Sequence, residues 1–286
     1  MAVKKNIETQ VCSIHRFCQG INLTRDGYYK MRRRNKHKQM ARDQVMQLIL
    51  ERRKLLPREG GRKLHKALME DFLGNNIKIG RDKLFDILRD NNLLIKPKKR
   101  YNRTTNSWHR FHKFPNLIKG IKIKRPNQVW VSDITYVKLL KGYCYLALIT
   151  DAYSRKIVGY DISDSLELAG CLRALKRALK QLPAKQNLIH HSDRGLQYCS
   201  NQYVKMLLDY KVKISMTEEN HCYENAIAER VNGILKDEFY LDLCFKDANQ
   251  VRKICQNAIF LYNDKRLHLS LNYKTPNLVH DIIVEI

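Results

Sequence analysis

The chain has 286 residues and a formal net charge of +26, from 54 Lys and Arg against 28 Asp and Glu. That length holds two or three domains with a full core. No run approaches the ~20 apolar residues of a membrane helix, and Met1-Ala2-Val3-Lys4-Lys5-Asn6-Ile7-Glu8 lacks the apolar heart of a signal peptide. Eight Cys with no Cys-x-x-Cys pair point to free thiols in a reducing cytosol.

The charge is front-loaded. Residues 1–126 carry 33 Lys and Arg against 10 Asp and Glu, a net of +23, while residues 127–286 carry 21 against 18, a net of +3. The amino-terminal part is therefore the footprint of a polyanion, and nucleic acid fits better than a membrane surface because no apolar anchor accompanies the charge.

In chain order, Val11, Ile14, His15 and Cys18 recur at helical spacing, and Cys12-x-x-His15-x-x-Cys18 lacks a fourth ligand for zinc. Gly20-Ile21-Asn22 reads as a turn and Thr24 as the cap of a second helix, Arg25 to Arg34. The pair resembles a helix-turn-helix, assigned here to residues 1–40; Arg32-Arg33-Arg34 either binds phosphate or is a solvated run. A second module, residues 41–95, has a helix over 40–56 that Pro57 ends, then helices at 62–73 and 81–91 about Gly74-Asn75-Asn76. Its Arg62, Lys63, Lys66, Arg81 and Lys83 suit a DNA backbone, or an ordinary solvated face. Residues 96–126 form a basic linker in which Trp108, Phe111 and Phe114 either stack on bases or dock the linker onto the core.

From residue 127 the pattern changes. Strands are expected over 128–139, 143–150 and 156–162, with a hairpin turn at Lys141-Gly142. A helix with Leu168, Leu172, Leu175, Leu179 and Leu182 on one stripe follows and Pro183 closes it. Then come a strand over 188–192, a helix near 201–210, a strand over 212–216, a polar loop from Thr217 to Tyr223 that could order on DNA, a helix through Glu229, and a last helix over 248–262. This order implies an α/β domain, a mixed sheet covered by helices. Arg266 and His268 in the tail either face DNA or pack the tail onto the core.

Three acids stand out in this part. Asp133 lies inside Val129-Trp130-Val131-Ser132-Asp133-Ile134-Thr135-Tyr136, where an ionised carboxylate costs several kcal/mol unless something pairs with it. Asp193 ends the apolar run Leu188-Ile189-His190-His191-Ser192. Glu229 shares a helix stripe with Asn225, Asn232 and Lys236, opposite the apolar Ile227, Val231, Ile234 and Leu235. Converging carboxylates repel one another, and a divalent cation relieves them; all-oxygen ligands favour Mg²⁺ or Mn²⁺. Spacing alone does not decide this, since a strand Asp is commonly a turn residue, and Asp151, Asp161 and Asp164 also sit near strand ends.

The segments Val131-Ser132-Asp133-Ile134-Thr135-Tyr136, His191-Ser192-Asp193-Arg194-Gly195-Leu196-Gln197-Tyr198 and Glu224-Asn225-Ala226-x-x-Glu229 resemble the DDE integrase core of bacterial insertion-sequence transposases, most closely the second-frame (OrfB) protein of the insertion-sequence 3 family. Lys236 and the tail Tyr262-Asn263-x-x-Arg266-x-His268-x-Ser270-Leu271 fit the same pattern, over roughly residues 10 to 280. One departure is Glu224, where the family usually has Asp. The resemblance implies an RNase H-like integrase core over 127–286, a mixed five-stranded sheet with flanking helices, preceded by small all-helical DNA-binding modules. It implies that Asp133, Asp193 and Glu229 bind two Mg²⁺, with Mn²⁺ as a substitute, and that Lys236 and Asn225 hold DNA near them. It implies cleavage and strand transfer at element ends, a homo-oligomer on DNA, an upstream-frame partner protein, and a bacterial, cytoplasmic, nucleoid-associated location. The rivals are an RNase H-like nuclease, which needs no basic modules, and a non-enzymatic DNA-binding protein from a decayed element.

Overall fold

The computed structural model describes residues 13–96, 110–183, 187–218 and 225–281. Most of the expected 217–223 loop, and Cys12, Trp108 and Glu224, lie outside these. The chain forms two compact units, one from residues up to 52 together with 68–94, the other from residues 53–67 together with 95–286.

The first unit is all helix: α1 (Ile14–Gly20), most of α2 (Arg25–Leu55), then, beyond α3 (Gly61–Ala67) of the second unit, α4 (Met69–Gly74) and α5 (Arg81–Asp90). Ser13 and Thr24 cap α1 and α2, each accepting from the backbone N–H three residues on. The expected helices at 25–34 and 40–56 are one helix, because no Gly or Pro interrupts Met31 to Leu55 and Arg, Lys, Gln and Met between them favour helix. The expected helix over 62–73 is instead two pieces that part at Leu68. Tyr28, Val45, Ile49, Phe72, Leu84 and Leu88 are buried here.

The second unit is built on a five-stranded sheet in the order β3-β2-β1-β4-β5. Its strands are β1 (Val129–Lys138), β2 (Tyr143–Asp151), β3 (Ile157–Ser163), β4 (Ile189–Ser192) and β5 (Lys213–Met216). The first three form an antiparallel meander, and β4 and β5 run parallel to β1. Valine, isoleucine and aromatic residues make β1 a strand, and Gly142 takes the positive φ of the hairpin turn. The helices are α6 (Leu168–Leu179), α7 (Leu196–Cys199), α8 (Asn201–Asp209), α9 (Ala226–Glu238), α10 (Ala248–Asp264) and α11 (Pro276–His280).

Two apolar clusters sandwich the sheet. One joins Trp130, Ile149 and Val158 to Leu175 and Leu179 of α6 and Tyr203 and Leu207 of α8. Gly159 belongs here for space: a Cβ on it would collide with the Ala174 carbonyl oxygen, so a side chain would push α6 off β3. The other cluster joins Val137, Leu146 and Leu148 to Val231 and Leu235 of α9 and Val251 and Tyr262 of α10, and Leu56 also lies in it. The end of the basic linker belongs to the core too: Met216 N–H donates to the Pro115 carbonyl (3.3 Å), Leu117 N–H to Ser215 Oγ (2.8 Å), and Phe114 packs on the first cluster. Among the described residues no helix is long and apolar enough to cross a membrane, and every cysteine is free.

Candidate active site

Parallel pairing brings two of the acids together. Val129 to Ser132 align with Ile189 to Ser192, so Asp133, on β1, and Asp193, just past the end of β4, each follow the last aligned pair. Buried polar side chains pin this junction from behind. His190 Nε2 meets Ser132 Oγ (2.7 Å) and Tyr203 Oη (3.0 Å), and burial pushes its pKa down to about 3, so it is neutral.

Asp133 is half-buried. Its Oδ1 accepts from Ile134 N–H (2.9 Å) and its Oδ2 from the Asn232 amide (2.8 Å). Those donors hold its pKa down, yet burial first, then the Asp193 carboxylate, then Glu229, raise it to about 7. Asp193 is half-buried, and its Oδ1 accepts from Gly195 N–H (3.0 Å). A Cβ on Gly195 would lie 2.9 Å from that oxygen, so glycine leaves the carboxylate its position.

Glu229 is exposed in the first turn of α9. The helix is tied to β1 by two amides: Asn225 Nδ2 donates to the Ser132 carbonyl (3.0 Å), and Asn232 Nδ2 to Asp133. Lys236, one turn beyond Asn232, is half-buried; burial lowers its pKa, while Asp133, Asp242 and Asp237 draw it up.

The other strand-end acids are answered by the chain. Asp151 is fully buried and accepts from Asn127 N–H, Ser154 N–H and Ser154 Oγ, each at 2.7 Å. Asp161 pairs with Arg173 (2.7 Å) and Arg177 (3.1 Å), and Asp164 with Arg252 (2.9 Å). For Asp133 and Glu229 no ion pair exists among the described residues. This distinction, which the sequence could not make, separates structural acids from available ones.

The donors suit a hard cation. Asp133, Asp193 and Glu229 offer carboxylate oxygens only, and buried oxygens nearby, Asn232 Oδ1, Asn225 Oδ1 and Tyr198 Oη, have no hydrogen-bond partner among the described residues. No three His, Cys, Asp or Glu side chains among the described residues are gathered as a ready metal-holding group. Glu229 stands outside the Asp133–Asp193 pair, as mutual repulsion of three carboxylates favours.

Four of the residues named for DNA are turned inward here. Lys63 is 6 % exposed and its Nζ sits 2.9 Å from both oxygens of Glu238. Arg266 is 3 % exposed and forks onto the same carboxylate, Nε at 2.8 Å and Nη2 at 2.6 Å. His268 is buried edge-on against Tyr262, and burial with Arg266 and Lys63 nearby pushes its pKa down to about 2. Asn225 is buried and braces α9. Each is engaged inward because a buried charge or amide must be paired. Arg62, Lys66, Arg81 and Lys83 are exposed, Arg81 and Lys83 beside Asp82 and Asp86. Asn232 is the site residue the sequence reading left out, although its place on the Glu229 stripe was the available signal.

A parallel β1–β4 pair carrying two adjacent carboxylates, with a third on the helix behind, defines the integrase class of polynucleotidyl transferases. Two family models described as "Integrase core domain" match residues 123–222 and 210–276. The chain is 34 % identical over 265 residues to the insertion element IS600 31 kDa protein of Shigella sonnei, covering 91 % of this chain and 95 % of that one. It is 36 % identical over 180 residues to the transposase for insertion sequence element IS904 of Lactococcus lactis subsp. lactis, covering 62 % and 70 %. Among solved structures, the HTLV-2 integrase catalytic core domain in complex with magnesium matches at 21 % identity and TM-score 0.44, over 55 % of this chain and 97 % of that one. The chain belongs to the bacterial insertion-sequence transposases with an integrase core, of the insertion-sequence 3 family. It is a DDE-type transposase of DNA transposition and integration, from a family that generally depends on divalent metal ions.

Proposed function

We propose that Asp133, Asp193 and Glu229 are the catalytic acids and hold two Mg²⁺, for which Mn²⁺ can substitute. The observation that carries this is Asp133: mid-strand, in no ion pair among the described residues, and raised to about 7 by burial and by Asp193 beside it. Bound there, the ions would activate the attacking oxygen and stabilise the leaving one. Asn232 holds the Asp133 carboxylate through its amide. Lys236, one turn beyond Asn232 on the helix that carries Glu229, binds the phosphodiester and places it over the acids. Water opens one element end, and the freed 3′ hydroxyl attacks a second phosphodiester; no Ser or Tyr nucleophile takes part.

The division of labour follows the charge. Residues 1–40 and 41–95 engage DNA, with Arg62, Lys66, Arg81 and Lys83 on its backbone, 96–126 link, and 127–286 catalyse. The protein works as a homo-oligomer joining two ends, with an upstream-frame partner, on the bacterial nucleoid in the cytoplasm. The test is cleavage of element-end DNA by Asp193→Asn beside the wild type, with the partner present. Loss of at least ~10²-fold with DNA affinity unchanged supports the reading; retained cleavage removes Asp193 from the site.

A further inference from the structure

Residues 53–67 precede the catalytic core by some sixty residues, yet they belong to its compact unit. What they hold is one end of one helix. The Arg58 guanidinium lies 4.1 Å from the centre of the Tyr240 ring, donates to the Asp237 carbonyl (3.1 Å) and pairs with Asp242 (3.5 Å). Lys63 seats on Glu238, and Leu56 is buried in the cluster that receives α9. Asp237, Glu238, Tyr240 and Asp242 are the carboxyl-terminal end of α9 and the turn after it. Cations belong at such an end, where carbonyls are unmatched and the helix dipole is negative.

We infer that residues 53–67 form a positioning strap for catalysis, with Lys63 and Arg58 fixing α9 so that Glu229, Asn232 and Lys236 meet the strand acids. This rests on the three-acid reading above. Glu229 lies nine residues from Glu238, about 13 Å along the helix. A tilt of about 5° at the clamped end therefore moves Glu229 by about 1 Å, enough to cost up to ~10²-fold in rate. The strap is covalently continuous with the first unit at both ends, through residues 52–53 and 67–68.

The test uses the full chain with Lys63→Met. Glu238 keeps its two bonds from Arg266, so no buried carboxylate is orphaned. The expected result is at least ~10-fold slower cleavage of element-end DNA and more Mg²⁺ for half-maximal rate, with DNA affinity and its salt dependence unchanged. Lys63→Arg, which keeps the charge, should recover most of the rate. Arg58→Met is the second variant, should Lys63→Met fail to fold, and the same pattern is expected of it. A salt slope shallower by about one would make Lys63 a phosphate contact and overturn the inference. Unimpaired cleavage by both variants would reduce the strap to structure and overturn it too. Glu229→Gln runs alongside: if it cleaves like the wild type, the three-acid reading fails and the strap inference falls with it.

Discussion

Replacing Asp133 with Asn should stabilise the metal-free protein at alkaline pH, although it destroys the proposed site. The folded protein raises this carboxyl from 3.8 to about 7. It therefore binds that proton more tightly than the unfolded chain does, and stability drops as pH rises from about 4 through 7. Three pKa units correspond to about 4 kcal/mol, an upper bound on what ionising Asp133 costs above pH 7. Asn carries no such cost. Its Oδ1 can keep the Ile134 N–H, and the Asn232 amide can turn to present Oδ1, which lacks a partner among the described residues, to the new NH₂. Urea unfolding in chelator, followed by Trp130 fluorescence, reads this directly, since Trp130 is 1 % exposed and three residues from Asp133. Near pH 4 the two proteins should be about equally stable, and by pH 8.5 the variant should lead by at least ~1 kcal/mol. Mg²⁺ at ten times its Kd should then return about 1.4 kcal/mol to the wild type alone. A gap that does not change with pH, or a wild type that gains on the variant as pH rises, would refute the reasoning.

Asn232→Ala removes a donor that favours the ionised Asp133, so the acid limb of the pH–rate profile should move to higher pH, with a rate loss of ~10-fold. Gly195→Ala should fold normally, since its φ of −66° suits alanine, but its Cβ crowds Asp193 Oδ1; metal titration should show weaker binding and cleavage should slow. Replacing Arg62 and Lys66 together by Ala should lower DNA affinity and flatten its salt dependence by about two, as measured by filter binding across 50 to 200 mM salt.

The sheet was legible because β1 to β3 are long runs rich in valine, isoleucine, leucine and aromatic residues, while the short β4 and β5 are set off by the helices between them; all five lie within two residues of their expected bounds. The resemblance selected the three acids; hydrophobic pattern alone left Asp151, Asp161 and Asp164 as equals, and only tertiary ion pairs and turn bonds set those apart. The amino-terminal helices were harder. The apolar spacing lapses from Arg32 to Gln39, which reads as a junction between two helices, yet no Gly or Pro breaks the run and α2 continues through it. Lys63, Arg266 and His268 were left with two readings for a related reason. A basic residue reads as surface in sequence, and its burial depends on a carboxylate such as Glu238, 175 residues away from Lys63. The short α7 and α11 carry too few residues for a periodicity to register.

The central claim is that Asp133, Asp193 and Glu229 hold metal, and Asp193→Cys tests it most directly. A thiolate ligates Mg²⁺ poorly and softer ions better. Cleavage of element-end DNA should fall at least ~10²-fold in Mg²⁺ and recover substantially in Mn²⁺, while DNA binding stays unchanged. Equal activity in the two metals, whether full or absent, would contradict ligation by Asp193 and with it the account of the site.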